Sequence, residues 1–274
     1  MTLPTAQRLF DVSDAVCVIT GGASGIGLAC TQVLVANHAR VHIVDRDRAA
    51  IEAALNSLGC PENLTAHCAD VTVLGQLQAA IAEVVKAGGR IDVAFINAGV
   101  GGGPGFLKAD GQRNDERRFE DLPFDQWARV MDVNVNAAFR TMQEVVRAMK
   151  PHGGGRIIVT SSVSGTKTEQ LVGTPFVVSK AAVGHLVRQA ALELARYHIT
   201  VNAIAPGPFI TNISGGRLRE AAARAPFERL IPMHRLGSDE DIQGAALFLA
   251  SPAARYVTGA QIAVDGGFAL GTAD

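Results

Sequence analysis

The sequence is poor in net charge and almost without tyrosine. Across 274 residues, Lys and Arg number 25 against 26 Asp and Glu, a formal net charge of −1, and no segment gathers a basic stripe. That balance argues against a nucleic-acid partner, whose phosphates demand a surplus of positive charge. Cysteine is sparse too. Cys17, Cys30, Cys60 and Cys68 form no CxxC pair and have no histidine at ligand spacing, so reduced thiols in a cytoplasm are expected rather than disulfides. The seven histidines, at 38, 42, 67, 152, 185, 198 and 234, form no metal motif. The apolar run at 15–19 is only about five residues long and follows Asp11 and Asp14, too short for a signal segment or a membrane span, so no membrane partner is expected. Aromatics make up 5% of the chain, and the tyrosines are two, Tyr197 and Tyr256.

What the chain has in quantity is apolar residues, 48%, and glycine, 29 residues, the composition of a globular protein. Short β-branched runs alternate with longer segments of helical period, which predicts βαβ units around a parallel sheet in one domain, 1–274. Seven strands are expected, at 15–20, 40–45, 64–69, 91–97, 156–161, 200–205 and 261–264. Val183, Leu186, Val187, Ala190, Ala191 and Leu194 fall on one face of a helix expected over about 179–196, with Lys180 in its first turn. A long polar loop, residues 100–121, separates the fourth strand from the next helix. Loops of that length are usually functional, and a substrate-side lid or a subunit contact is expected.

The first strand ends in "TGGASGIG", with helix expected from Leu28. Glycines at 21, 25 and 27 let backbone N–H groups approach a pyrophosphate at a helix N-terminus, or serve as a plain strand-to-helix turn. Context favours the phosphate. The second strand closes on Asp45, eighteen residues beyond Gly27, where a carboxylate accepts from both ribose hydroxyls of an adenosine and repels a 2′-phosphate. NAD is therefore expected over NADP. Arg46 either softens that preference or is a solvated arginine at a strand end.

"TGGASGIG", "CADVT", "INAG", "VNVNAAF", "SSVSG", "SKAAV", "VNAIAPG" and "VTGAQIAVDGG" follow one another in an order and at spacings that resemble the short-chain dehydrogenase/reductase family over nearly the whole chain. The resemblance implies a single-domain Rossmann fold with a doubly wound seven-stranded parallel sheet, a nicotinamide cofactor, and a homotetramer or homodimer built on the helices after the fourth and fifth strands. It implies that Gly21, Ser24, Gly25, Ile26 and Gly27 line the pyrophosphate and that Asp70 and Val71 flank the adenine. Asn97, Ala98 and Gly99 would support the sheet edge and ribose; Pro206 and Gly207 would shape the nicotinamide pocket, with Phe209 and Thr211 toward the carboxamide.

The resemblance also implies a catalytic Asn, Ser, Tyr and Lys, which hold a proton relay, the substrate oxygen, the transferred proton and the ribose. Asn134, Ser162 (with Ser161 as backup) and Lys180 match the first, second and fourth. The tyrosine position, four residues before Lys180, holds Phe176, and no tyrosine lies between 162 and 180. A phenyl ring keeps the shape of a phenol and can neither ionise nor donate. His234 is the one histidine on the substrate side, a weak substitute, and the carboxylates of 100–121 read as a solvated face. Three functions are compatible: an NAD-dependent dehydrogenase or reductase slowed by Phe176, natural or engineered; a natural non-catalytic NAD-binding sensor or assembly subunit; or altered chemistry using Ser162 and Lys180. Substrate walls are expected from 100–121, 164–173 and 208–236, where Asn212, Ser214, Arg217 and His234 mix with Phe227 and Met233, fitting a small polar hydroxy or keto compound.

Overall fold

In the computed structural model, residues 3, 5–108, 110–211, 218 and 220–272 are described. In chain order they form α1 (Ala6–Leu9), β1 (Val16–Thr20), α2 (Gly25–Ala36), β2 (Arg40–Asp45), α3 (Arg48–Ser57), β3 (Leu64–Cys68), α4 (Leu74–Gly88) and β4 (Val93–Ile96). The second half adds α5 (Phe124–Met131), α6 (Ala137–Met149), β5 (Gly155–Thr160), α7 (Thr174–Leu194), β6 (Ile199–Pro206), α8 (Ala221–Leu230), α9 (Asp239–Ala250) and β7 (Gln261–Val264). The seven strands form one sheet in the order β3-β2-β1-β4-β5-β6-β7, and every pairing is parallel.

Alternation along the strands divides the core. Val16 and Val18 of β1 and Val44 of β2 pack with Leu77 and Ile81 of α4, Met142 of α6 and Val187 of α7, whereas Cys17, Ile19 and Ile43 pack with Leu34 of α2, Ile51 of α3 and Leu249 of α9. Helices thus cover both faces, as strands buried on both sides require. The order reverses between β1 and β4, and ligands of such sheets bind outside the carboxyl ends of the strands at that point.

Three expectations are corrected in detail. α7 begins at Thr174, so Lys180 lies in its second turn; Pro175 in the first turn has no N–H to leave unpaired and permits the early start. α2 begins at Gly25 rather than Leu28, with Ser24 as its N-cap residue. The loop over 100–121 is more structured than its composition suggests. It folds back as a ribbon against 170–173, through Gly105 N–H to the Leu171 carbonyl at 3.1 Å, Leu107 N–H to Gln170 at 3.0 Å and Gly173 N–H to Gly103 at 3.0 Å. A Cβ on Gly173 would collide with the Gly102 carbonyl, so glycine is what lets these backbones meet.

Candidate active site

A cavity of about 420 Å³ runs along the carboxyl ends of the strands. At one end the β1–α2 turn presents Gly21, Ser24, Gly25 and Ile26 to it. Gly21 has φ +64° and donates its N–H to the Val44 carbonyl at 2.8 Å, which anchors the turn to β2. Gly27 lies behind the lining, where a Cβ would collide with the Gly21 carbonyl oxygen, so α2 can pack this close only without a side chain. The Ser24 side chain makes no capping bond to the first turn of α2. A pyrophosphate fits this cradle by charge and by space.

Asp45 lines the same end at the close of β2. Its carboxylate accepts the Ala23 N–H at 3.3 Å and the Asp47 N–H at 3.1 Å, and so is held beside the glycine turn. Arg46 reaches across to Asp70 at 3.7 Å. Burial pushes the Asp70 carboxyl up, but the Thr72 hydroxyl and amide together with Arg46 outweigh it and hold the group below the usual carboxylate range. Val71 and Asp70 both line the cavity. Asn97 fixes the sheet edge: its amide donates to the Gly21 carbonyl at 3.1 Å and its oxygen accepts the Thr160 hydroxyl at 2.9 Å. Ala98 and Gly99 continue the wall.

At the other end Ser162, Phe176 and Lys180 line the cavity together with Pro206, Gly207 and Phe209, and the Ser162 hydroxyl lies 3.5 Å from the Pro206 carbonyl. Thr211 lines the cavity beside the glycine turn, where a Cβ on Gly25 would touch its side chain. Lys180 is 6% exposed, and its Nζ donates to the Thr160 carbonyl at 2.7 Å and lies 5.6 Å from the centroid of the Phe176 ring. Burial lowers its pKa to about 8. The Ser162 hydroxyl accepts the Ser164 N–H at 3.1 Å and faces the cavity. Ser161, the backup, also lines the cavity but is committed elsewhere, donating to the Lys180 carbonyl at 3.3 Å.

Asn134 stands apart from the wall. It lies in a π-helical turn, Asp132–Asn136, that joins α5 to α6. Its Oδ1 accepts the Val100 N–H at 2.8 Å, and its Nδ2 donates to the Val100 carbonyl and the Ser179 hydroxyl, each at 3.0 Å. The Ser179 hydroxyl in turn donates to the Phe176 carbonyl at 2.7 Å. Asn134 therefore ties the start of the 100–121 loop to the turn of α7 that carries Phe176.

Neither tyrosine comes near. Tyr256 is fully exposed, and Tyr197 is 37% exposed and covered by Lys150 at 3.9 Å. His234 is exposed and does not line the cavity, whereas Phe227 does; Asn212, Ser214 and Arg217 lie outside the described residues.

A family model described as enoyl-(acyl carrier protein) reductase matches residues 21–269. Galactitol 2-dehydrogenase (L-tagatose-forming) of Cereibacter sphaeroides is 34% identical over 265 residues, 96% of this chain and 98% of its own length. A short-chain type dehydrogenase/reductase from Mycobacterium marinum superposes with a TM-score of 0.82 at 31% identity, over 97% of this chain and 99% of that one. The chain belongs to the short-chain dehydrogenase/reductase family. NAD-dependent glycerol dehydrogenase of Listeria innocua matches at 31% identity over 273 residues, 98% of this chain and 100% of that protein.

As a short-chain dehydrogenase/reductase the chain is an oxidoreductase with a nicotinamide-cofactor fold. Glu169 falls within the 164–173 segment expected as a substrate wall but was not singled out there, being a single acid in "GTKTEQLVG" that no spacing separates from the charged residues of an ordinary loop. The zipping of 102–107 onto 170–173 was equally hidden, since it is made by backbone groups of glycine-rich segments that carry no side-chain period.

Proposed function

We propose that the protein is an NAD-dependent oxidoreductase that moves hydride between the cofactor and a small secondary alcohol or ketone, slowly, because Phe176 occupies the proton-transfer position. Its working form is a homodimer or homotetramer. The observation that carries this is the wall on which Ser162, Lys180 and Phe176 meet, complete in shape and lacking one ionisable oxygen. The names of relatives that act on galactitol and glycerol support an alcohol as substrate.

The cradle, the carboxylate at Asp45 and the buried Lys180 fit NAD, which when bound supplies the hydride acceptor. Gly21, Ser24, Gly25 and Ile26 would hold the pyrophosphate, with Gly27 letting α2 pack close behind them, and Asp70 and Val71 would hold the adenine. Asp45 takes the adenosine ribose and excludes a 2′-phosphate. Asn97, Ala98 and Gly99 hold the sheet edge, Lys180 would hold the second ribose, and Pro206, Gly207, Phe209 and Thr211 would shape the carboxamide site. Ser162 donates to the substrate oxygen as charge develops there. Asn134 acts through the backbone of Val100 and through Ser179. Residues 100–121 form the substrate side of the site, which stays open to water. With no positioned base the alcohol proton passes to solvent water, a loss that general acid/base catalysis sets at about 10² to 10⁴ in rate.

Prolonged incubation with NAD and a panel of secondary alcohols and polyols tests this, with reduced nicotinamide followed by absorbance and the carbonyl product by mass. Slow formation of both, abolished in Lys180→Ala, is expected. NAD consumption without a carbonyl product contradicts it.

A further inference from the structure

Among the described residues the substrate half of the cavity contains one carboxylate, and few donors reach it. The Glu169 side chain is 7% exposed and lines the cavity together with Leu171, Phe227 and Phe268. An ionised carboxylate has room for about four donors. Among the described residues Glu169 has two polar partners, both at Oε1 and both distant: the Ser164 hydroxyl at 3.5 Å and Lys167 Nζ at 3.8 Å. Lys167 is itself engaged elsewhere, donating to the Phe268 carbonyl at 2.9 Å and lying 3.6 Å from the Phe268 ring centroid. Burial pushes the Glu169 pKa up, and Lys167 and Ser164 offset that only in part. A buried carboxylate among apolar walls is costly unless donors reach it.

The position of Glu169 says what those donors belong to. Ser164 donates its N–H to the Ser162 hydroxyl at 3.1 Å, and its own hydroxyl meets Glu169, so the carboxylate stands one residue's reach from the group that holds the reacting oxygen. We infer that Glu169 is the specificity residue of the substrate site, and that it accepts the hydroxyls adjacent to the reacting carbinol of an uncharged polyol. The inference rests on the function proposed above and narrows its substrate class. A carboxylate can accept two neighbouring hydroxyls at once, whereas a simple secondary alcohol leaves it unpaired and an anionic hydroxy acid is repelled. Lys167 already supplies a positive charge beside it, which removes the advantage a cationic amino alcohol would otherwise have.

Binding settles the matter without depending on turnover. The chain saturated with NAD is titrated by calorimetry with glycerol, a linear hexitol, butan-2-ol, 2-hydroxybutyrate and an amino alcohol, and the titrations are repeated with Glu169→Gln and Glu169→Leu. The hexitol is expected to bind the parent most tightly. It should weaken about 10-fold in Glu169→Gln and further in Glu169→Leu, from the size of a charge-assisted hydrogen bond, while butan-2-ol and NAD bind all three proteins alike. The NAD titration also reports that each variant is folded. Equal hexitol affinity in parent and variants, or tighter binding of butan-2-ol, the hydroxy acid or the amino alcohol by the parent, overturns the role of Glu169 and leaves the dehydrogenase assignment standing. Failure of the parent to bind NAD overturns both.

Discussion

On the proposed function, single side chains set the cofactor preference and the rate. Asp45 ends β2 with its oxygens fixed by the Ala23 and Asp47 amides, so it cannot swing away from a ribose brought to the glycine turn. A 2′-phosphate would meet that charge at close range, and Arg46 offers little relief because it pairs with Asp70 at 3.7 Å. Calorimetry with the two cofactors is therefore expected to favour NAD over NADP by about 10-fold or more, and Asp45→Ala should narrow the gap by weakening NAD. Equal affinities in the parent would remove the basis for the choice. Asp45 was legible in the sequence because a strand end and a fixed distance from the glycines mark it. Glu169 was covered only by the expected 164–173 wall and not singled out, because its burial beside a cavity that Phe227 and Phe268 also line, about 58 and 99 positions away, shows in no local pattern.

Between elements, the β2–β3 pairing carries a pH dependence of its own. His42, 5% exposed, shares a face of β2 with Val44, which packs under α4, and its Nδ1 lies 3.2 Å from Nε2 of His67 on β3. Burial, His67 and Arg40 lower the His42 pKa to about 4, and burial lowers that of His67 against the pull of Glu83. The pair shares one proton-mediated bond while both rings are neutral. As pH falls from about 6.5 toward about 4 the unfolded chain takes up a proton that the folded His42 refuses, so stability is full above that window and declines through it. Thermal unfolding followed across the window should show the decline, and His42→Val should flatten it. An unchanged slope in the variant would assign the acid sensitivity to other groups. The same element scale shows where sequence patterns lose their grip. The buried face of α7, with Val183, Val187, Ala191 and Leu194, was readable from its period, but its start at Thr174 was not, since Pro175 looks like a stop until the helix is seen to begin around it.

For the whole molecule, the seven-stranded parallel sheet was legible in the alternation of β-branched runs with helical segments and in the family motifs, of which "TGGASGIG", "INAG" and "SSVSG" end strands at the cavity while "VNVNAAF" and "SKAAV" lie on helices; the strand order came from the structure. The proposed assembly draws on exposed apolar surface. Phe124 of α5 and Leu192 of α7 are each 79% exposed and Phe139 of α6 is 46% exposed, apolar area on the helices that follow β4 and β5. Light scattering is expected to give a particle of two or four chains, and Leu192→Glu to shift it toward the monomer; a monomer at all concentrations would contradict the proposed assembly. On the proposed function, turnover depends on the oxygen that Phe176 lacks. Ser162 lines the cavity, and Lys180 is buried with its pKa lowered to about 8 beside the Phe176 ring. The most direct measurement compares reduced-nicotinamide formation by the chain as it stands and by Phe176→Tyr, over the same alcohols and polyols, with NAD affinity determined for both. The dehydrogenase assignment predicts a gain of about 10² or more in turnover at unchanged NAD affinity. Brisk turnover without the substitution, or a Phe176→Tyr protein that binds NAD and oxidises nothing, would contradict it.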